Sequence, residues 1–309
     1  MAQPSIGAQA SRLARDFTLS GTSRTRMPKL VYGTAWKKDA TAHLVYTALK
    51  TGFRGIDTAA QPKHYNEPGV AAGFKKAVSE GLVKREDIFI QTKFTPPSGQ
   101  NENAPYDFNA SVEDKVHQSV ESSLKNFTID GHETYLDSVV LHSPLDTLDD
   151  TIKAWKTLEG YHPHKIRNLG ISNATLGIVE ALYSRVTVKP SVVQNRFYPD
   201  TDYEVGLRLF CRENDVKFQS FWTIGANPHL VKSPPVVAVM QGAGVGAVSA
   251  YYALVMGLEG ITILDGTTKE AHMKEDLEGL ERIGAWAEGD GEAAWTQALG
   301  EFKKLIEEP

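Results

Sequence analysis

The chain has a single cysteine, Cys211, so no intrachain disulfide can form and nothing points to an oxidising compartment. It has no excess of basic charge: 33 Lys and Arg stand against 38 Asp and Glu, a formal net charge of −5 with a pI near 6.0. That balance speaks against nucleic acid or an anionic membrane as the main partner. No apolar run reaches membrane-spanning length. The opening MAQPSIGAQASRLARDF lacks the apolar core of a signal peptide, and Arg12 and Arg15 give only a faint likeness to a transit peptide. Residues 1–15 are expected to be flexible. No Gly-rich turn follows the first strand, because LVYGTAWKKD carries one glycine; the dinucleotide fingerprint of a doubly wound sheet is therefore missing. These absences leave a cytoplasmic protein of 309 residues, 41% hydrophobic, long enough to bury a large core.

What the chain does contain is alternation. FTLSGTSRTRMP (17–28) reads as two short strands around Ser20-Gly21, a hairpin able to plug the bottom of a barrel. Strand-like runs then alternate with helical ones. LVYGT precedes a helix near 39–51, FRGID one near 67–79 and DIFIQTKF one near 110–126. In the last of these, Val112, Val116, Val120 and Leu124 recur every four residues and predict one buried face. YLDSVVLH precedes a helix with Leu148, Ile152, Trp155 and Leu158 on one side. IRNLGIS, SVVQNRF and VKFQSF precede helices near 175–184, near 203–213 and within 228–256. ITILDG is the eighth strand, followed by helices near 269–280 and 290–306. Strands apolar on nearly every residue fit a parallel sheet covered on both faces. The pattern predicts a single-domain α/β protein, a (β/α)8 TIM barrel with an N-terminal hairpin and a short C-terminus after the last helix.

In such a barrel the chemistry sits at the C-terminal ends of the strands. The polar residues there are Asp57, Lys93, His142, Ser172, Asn173 and Gln194, with Tyr65 in the loop after Asp57. Reduction of a carbonyl by hydride needs a proton donor beside the oxygen that gains charge. Tyr65 fits the acid, Lys93 a nearby ammonium that lowers the phenol's pKa, and Asp57 the carboxylate holding Lys93. His142 fits a hydrogen-bond donor orienting the carbonyl. Each residue alone has a plainer reading: a structural ion pair for Asp57 and Lys93, or a cap on the helix at 175–184 for Ser172 and Asn173.

GTAW (33–36), GIDTA (55–59), TKF (92–94), LHSP (141–144), GISN (170–173) and QNRF (194–197) together resemble segments of the aldo-keto reductases, in the family's order and over most of the chain. The resemblance implies an NADP(H)-preferring oxidoreductase that reduces an aldehyde or ketone, acting as a monomer or weak homodimer without a metal. It implies that Asp57, Tyr65, Lys93 and His142 are catalytic. Ser172, Asn173 and Gln194 would bond the nicotinamide carboxamide, and Phe221 would stack on its ring. Thr34, Ala35 and Trp222 would also touch the cofactor, while Trp36, His64 and Phe94 would line the substrate pocket.

The sequence departs from the family pattern in four places. The insert QPK lengthens the spacing from Asp57 to Tyr65, so alignment through Asn66-Glu67 puts His64 at the usual tyrosine position. The segment after the eighth strand usually holds a Lys-Ser pair and a later Arg; here Gly266, Thr267 and His272 stand at those places. Thr267, Thr268 and Lys269 remain to hold a 2′-phosphate near a helix N-terminus, so NAD(H) is also possible. Glu275 and Asp276 match the adenine-contacting end. The loop after Phe221 is short for a belt over the cofactor, which predicts fast release, and the short C-terminus predicts an open pocket for a bulky substrate. Two alternatives remain: a non-catalytic, cofactor-binding regulatory barrel of the same family, and an unrelated barrel using Lys93 as a Schiff-base amine.

Overall fold

The computed structural model describes residues 11–21 and 24–308. Much of the 1–15 segment lies outside the described residues; within it, Ser11 and Leu13 are buried, and a Cβ at Gly284 would strike Ser11 Oγ. β1 (Phe17–Thr18) and β2 (Arg26–Met27) form the antiparallel hairpin. Leu19 and Met27 pack on Phe89 and Val192, at the N-terminal ends of two barrel strands, so the hairpin closes the bottom as expected.

Eight parallel strands form a closed barrel. They are β3 (Leu30–Gly33), β4 (Gly55–Asp57), β5 (Phe89–Phe94), β6 (Ser138–Leu141), β7 (Leu169–Ser172), β8 (Val192–Arg196), β9 (Lys217–Phe221) and β10 (Ile261–Asp265). Register pairs Gly33 with Asp57, Asp57 with Gln91, and Ser172 with Gln194. It also pairs Arg196 with Phe221 and Asp265 with Tyr32. The polar strand-end residues are thereby gathered on one rim.

The helices form where the periodicity places them. α1 (Thr41–Thr51), α2 (Glu67–Ser79), α3 (Val112–Phe127) and α4 (Leu148–Glu159) pack outside the barrel. The side chains of Asn66, Ser111 and Thr147 cap the last three by accepting from Gly69 N, Asp114 N and Asp150 N. Gly73 lets α2 approach α1, since a Cβ there would lie 2.3 Å from Ala42 O. α5 (Leu176–Arg185) and α6 (Val205–Glu213) follow.

The single helix expected within 228–256 is three: α7 (Pro228–Val231), α8 (Pro234–Ala243) and α9 (Ala247–Gly257). Pro234 starts the second, and Gly244 ends it with a left-handed φ of 63°. α10 (Glu270–Ala287) runs a further two turns past its expected end, because Ile283 and Gly284 are also buried. α11 (Glu292–Leu305) closes the described chain, and Glu308 behind it is buried against Arg208 and Arg212. Among the described residues no single helix is long and apolar enough to cross a membrane, and α8 and α9 meet at 110°.

Candidate active site

A cavity of about 930 Å³ opens on the C-terminal rim of the barrel. Behind Asp57, which lines one end, lies Lys93, whose side chain is wholly buried. Its Nζ donates to Asp57 Oδ2 at 2.6 Å and to Thr58 O at 2.8 Å. Asp57 Oδ1 accepts from Gln91 Nε2 at 2.7 Å and from Gln194 Nε2 at 3.1 Å. Both glutamines donate through the same nitrogens to Gln219 Oε1, and Gln219 Nε2 reaches Met27 Sδ in the plug. The carboxylate is thus held from beneath by a polar column filling the barrel.

The insert that lengthens the Asp57–Tyr65 spacing folds into one tight turn, with His64 N and Tyr65 N both donating to Gln61 O. This turn separates the two candidate acids. Tyr65 lies with its ring centroid 5.2 Å from Lys93 Nζ and 5.8 Å from the His142 ring. His64 stacks instead on Trp36, centroids 4.0 Å apart, at the cavity mouth. Burial, followed by the Asp57 charge, pushes the Tyr65 phenol well above its usual value. The expected lowering by Lys93 is absent, because that ammonium is already engaged by Asp57 and Thr58. Burial lowers the pKa of Lys93 itself.

His142 follows β6, its N donating to Phe94 O. Burial, then Lys93 and His64, push the imidazole down to about 3, so it is neutral. Nδ1 lies 2.7 Å from Thr95 Oγ1. With the hydroxyl donating, the ring proton sits on Nε2, leaving that nitrogen as a donor.

Next along the cavity are Ser172, Asn173 and Gln194. They do not cap the following helix, which Thr175 precedes. Asn173, at a left-handed φ of 52°, donates through Nδ2 to His142 O, and Ser172 Oγ donates to Gln194 O. With their nitrogens so used, Asn173 and Gln194 have amide oxygens left as acceptors, suited to a carboxamide N–H₂. Thr34, Ala35 and Phe221 line the same region, as do Trp36 and Trp222, which are 61% and 57% exposed. At the far end lie Gly266, Thr267, Thr268, His272, Glu275 and Asp276.

Besides the buried Lys93, two expected residues are not brought to the cavity wall. Phe94 is buried against Tyr106, because its position on β5 turns the ring toward the helical layer while Lys93 faces the lumen. Lys269 precedes α10 on the exposed side and is not part of the cavity wall.

Sequence reasoning missed Arg196, Lys37 and Asp265. Arg196 ends β8 with its guanidinium 4.4 Å from the Trp222 ring, and its Nε is buried without a hydrogen-bond partner among the described residues. Lys37 donates to Gly266 O. The only available signal was position: each lies within two residues of a residue already singled out.

An orphaned guanidinium nitrogen and a lysine beside one trench are the donors that a pyrophosphate requires. With amide acceptors and an aromatic face at one end, the cavity fits a nicotinamide dinucleotide.

The comparisons agree with this geometry. The Aldo/keto reductase family model matches residues 21–233. The NAD(P)H-dependent D-xylose reductase of Scheffersomyces stipitis is 30% identical over 200 residues, covering 56% of this chain and 57% of that protein. Glyoxal reductase of Bacillus subtilis is 34% identical over 179 residues, covering 57% of this chain and 55% of that protein. The chain therefore matches little more than half the length of either. An aldo-keto reductase of Bombyx mori, solved in complex with NADP, superposes with a TM-score of 0.69 at 20% identity, over 88% of this chain and 92% of that one. That likeness establishes the shared barrel. The chain belongs to the aldo/keto reductase family.

Proposed function

We propose that the protein is a nicotinamide-dinucleotide-dependent reductase of aldehydes or ketones, with Asp57, Tyr65, Lys93 and His142 as its catalytic set. The observation that carries the proposal is the Tyr65 phenol, set over the buried Asp57–Lys93 pair and against neutral His142, in a cavity continuing to Arg196 and Lys37. The dinucleotide, when bound, supplies the hydride. Charge then develops on the carbonyl oxygen, and His142 Nε2–H donates to that oxygen. Tyr65 Oη, firmly protonated in the free protein, holds the proton that the oxygen takes up. The Lys93 ammonium lies 5.2 Å from the centroid of that ring. Asp57 keeps Lys93 in place.

Lys93 Nζ is buried in its ion pair, away from the cavity wall, which disfavours a Schiff-base role. The exposed Trp36 and Trp222 at the mouth support a bulky or extended carbonyl substrate. A net charge of −5 supports a small-molecule partner over nucleic acid, and we take the chain as a cytoplasmic monomer or weak homodimer.

Turnover of a carbonyl panel with NADPH and with NADH tests the proposal; oxidation of either cofactor with a Tyr65-dependent rate is expected. Tight dinucleotide binding without turnover of any carbonyl would support the regulatory barrel instead. Both cofactors carry the same hydride, and the residues at the adenosine end decide between them.

A further inference from the structure

A second cavity, of about 690 Å³, adjoins the first, and Trp36, His64 and Tyr65 belong to the walls of both. The insert that lengthens the Asp57–Tyr65 spacing builds it: Gln61, Pro62 and Lys63 all line it, together with Asn103 from the loop after β5 and Asn126 from α3. Gln61 ties the insert to that loop, its Nε2 donating to Gly99 O at 2.8 Å, while its backbone O holds the turn that carries His64 and Tyr65.

This wall has acceptors that the protein leaves unused. Gln61 is 5% exposed, and its Oε1 is buried with no hydrogen-bond partner among the described residues. Asn126 Nδ2 donates to Glu67 Oε2 at 2.9 Å, which leaves its amide oxygen over. Glu67 itself is filled by Thr92, Ser123 and Asn126. Lys38 and Lys63 stand against Asp39 and Glu67, so the formal charges of the wall cancel. A buried amide oxygen without a donor costs free energy until a donor reaches it. A carboxylate brings acceptors only. An ammonium donates, but a wall without net charge does not offset its desolvation. Neutral hydroxyls both donate and accept, and the C–H faces of a hydroxylated ring suit the Trp36 and Pro62 rings on this wall.

We infer that the second cavity is a subsite for the remote end of the carbonyl substrate, and that it takes a neutral polyhydroxy group of the glycosyl kind. The inference rests on the reading of Asp57, Tyr65, Lys93 and His142 as the catalytic set. With the carbonyl oxygen between Tyr65 and His142, the remainder of the substrate passes the stacked His64 and Trp36 rings and enters the second cavity. The insert thereby sets specificity, and Gln61 is its recognition residue. Contacts so far from the reacting carbon act on the bound substrate and the transition state alike, so they are read in KM more than in kcat.

The test is steady-state kinetics of the intact protein with para-formylphenyl glucoside and with para-cyclohexyloxybenzaldehyde, an aldehyde of similar shape whose second ring has no hydroxyls. The glucoside is expected to have a kcat/KM about tenfold higher. Gln61→Met, of similar length and apolar, should lower that ratio about tenfold, through KM, with kcat for the glucoside nearly kept. Ser122→Trp fills the cavity from α3 and leaves the insert untouched; it should also erase the preference, and it remains informative if Gln61→Met loosens the loop at Gly99. Equal kcat/KM for the two aldehydes, or a preference unchanged in both variants, overturns the subsite while leaving the reductase reading intact. A para-formylphenyl glucuronide reduced faster than the glucoside overturns the neutral class. Absence of turnover with every carbonyl defeats the reductase reading itself, and the subsite with it.

Discussion

Lys93 Nζ and Asp57 Oδ2 meet at 2.6 Å with both side chains out of solvent, directly beneath the ring of Tyr65. Breaking one side of such a pair leaves a buried charge uncompensated. Lys93→Met should therefore destabilise the protein by about 3–5 kcal/mol as well as abolish turnover. Urea unfolding of Lys93→Met, Asp57→Asn and the double variant checks this. The double variant should be more stable than the sum of the two single losses predicts; simple additivity would mean that the pair is not coupled.

Tyr65→Phe removes the proton donor without changing the shape of the site. The expected loss is about 10²–10⁴-fold in kcat with dinucleotide Kd nearly unchanged. His64→Gln should cost far less, because His64 faces Trp36 and not His142. Steady-state kinetics of the two variants distinguish the acids, and an active Tyr65→Phe would move the role to His64.

The His142 imidazole is depressed to about 3 in the folded protein, so it binds no second proton across the neutral range. Unfolding releases it to its ordinary value near 6.5. Between those values the unfolded chain binds more protons, so this contribution to stability is whole above about pH 6.5 and declines as pH falls toward 3. The wild-type melting temperature should fall more steeply below pH 6.5 than that of His142→Gln. Parallel curves would show that the ring titrates normally.

Asp276 has the opposite sign. Burial, then the Asp265 carboxylate, raise it to about 8, so the folded state keeps a proton that the unfolded state loses above about pH 4. Stability from this group is present at low pH and is lost as pH rises through 8. Asp276→Asn can donate to Asp265 without titrating, so its melting temperature should exceed that of the wild type increasingly between pH 6 and 9. Scanning calorimetry across that range checks the divergence.

The barrel strands and the catalytic rim were legible because burial on both faces leaves near-continuous apolar runs, several with a polar residue at or just past one end. The region 228–256 was not, for a related reason. From Ser249 to Met256 every residue of α9 is buried, so no polar stripe marks its turns, and the breaks fall within a run that carries several prolines and glycines, at Pro234 and Gly244. Phe94 was misplaced because its motif neighbour Lys93 faces the lumen, and alternation along the strand turns Phe94 the other way. Arg196 and Asp265 escaped notice because nothing local separates a strand-end charge that forms an ion pair from one that, among the described residues, forms none. That distinction is made by residues far away in the chain.

Gln91 and Gln194 each donate to both Asp57 Oδ1 and Gln219 Oε1, and Gln219 in turn donates to Met27. Replacing any one of these glutamines by an apolar residue strands a partner in the dry lumen. Descendants of this sequence cannot drift through these sites one at a time; a viable change must come as a set. Lineages that keep Asp57 should either retain all three glutamines or replace them together, so the interior of the barrel evolves in jumps while its outer helices evolve residue by residue.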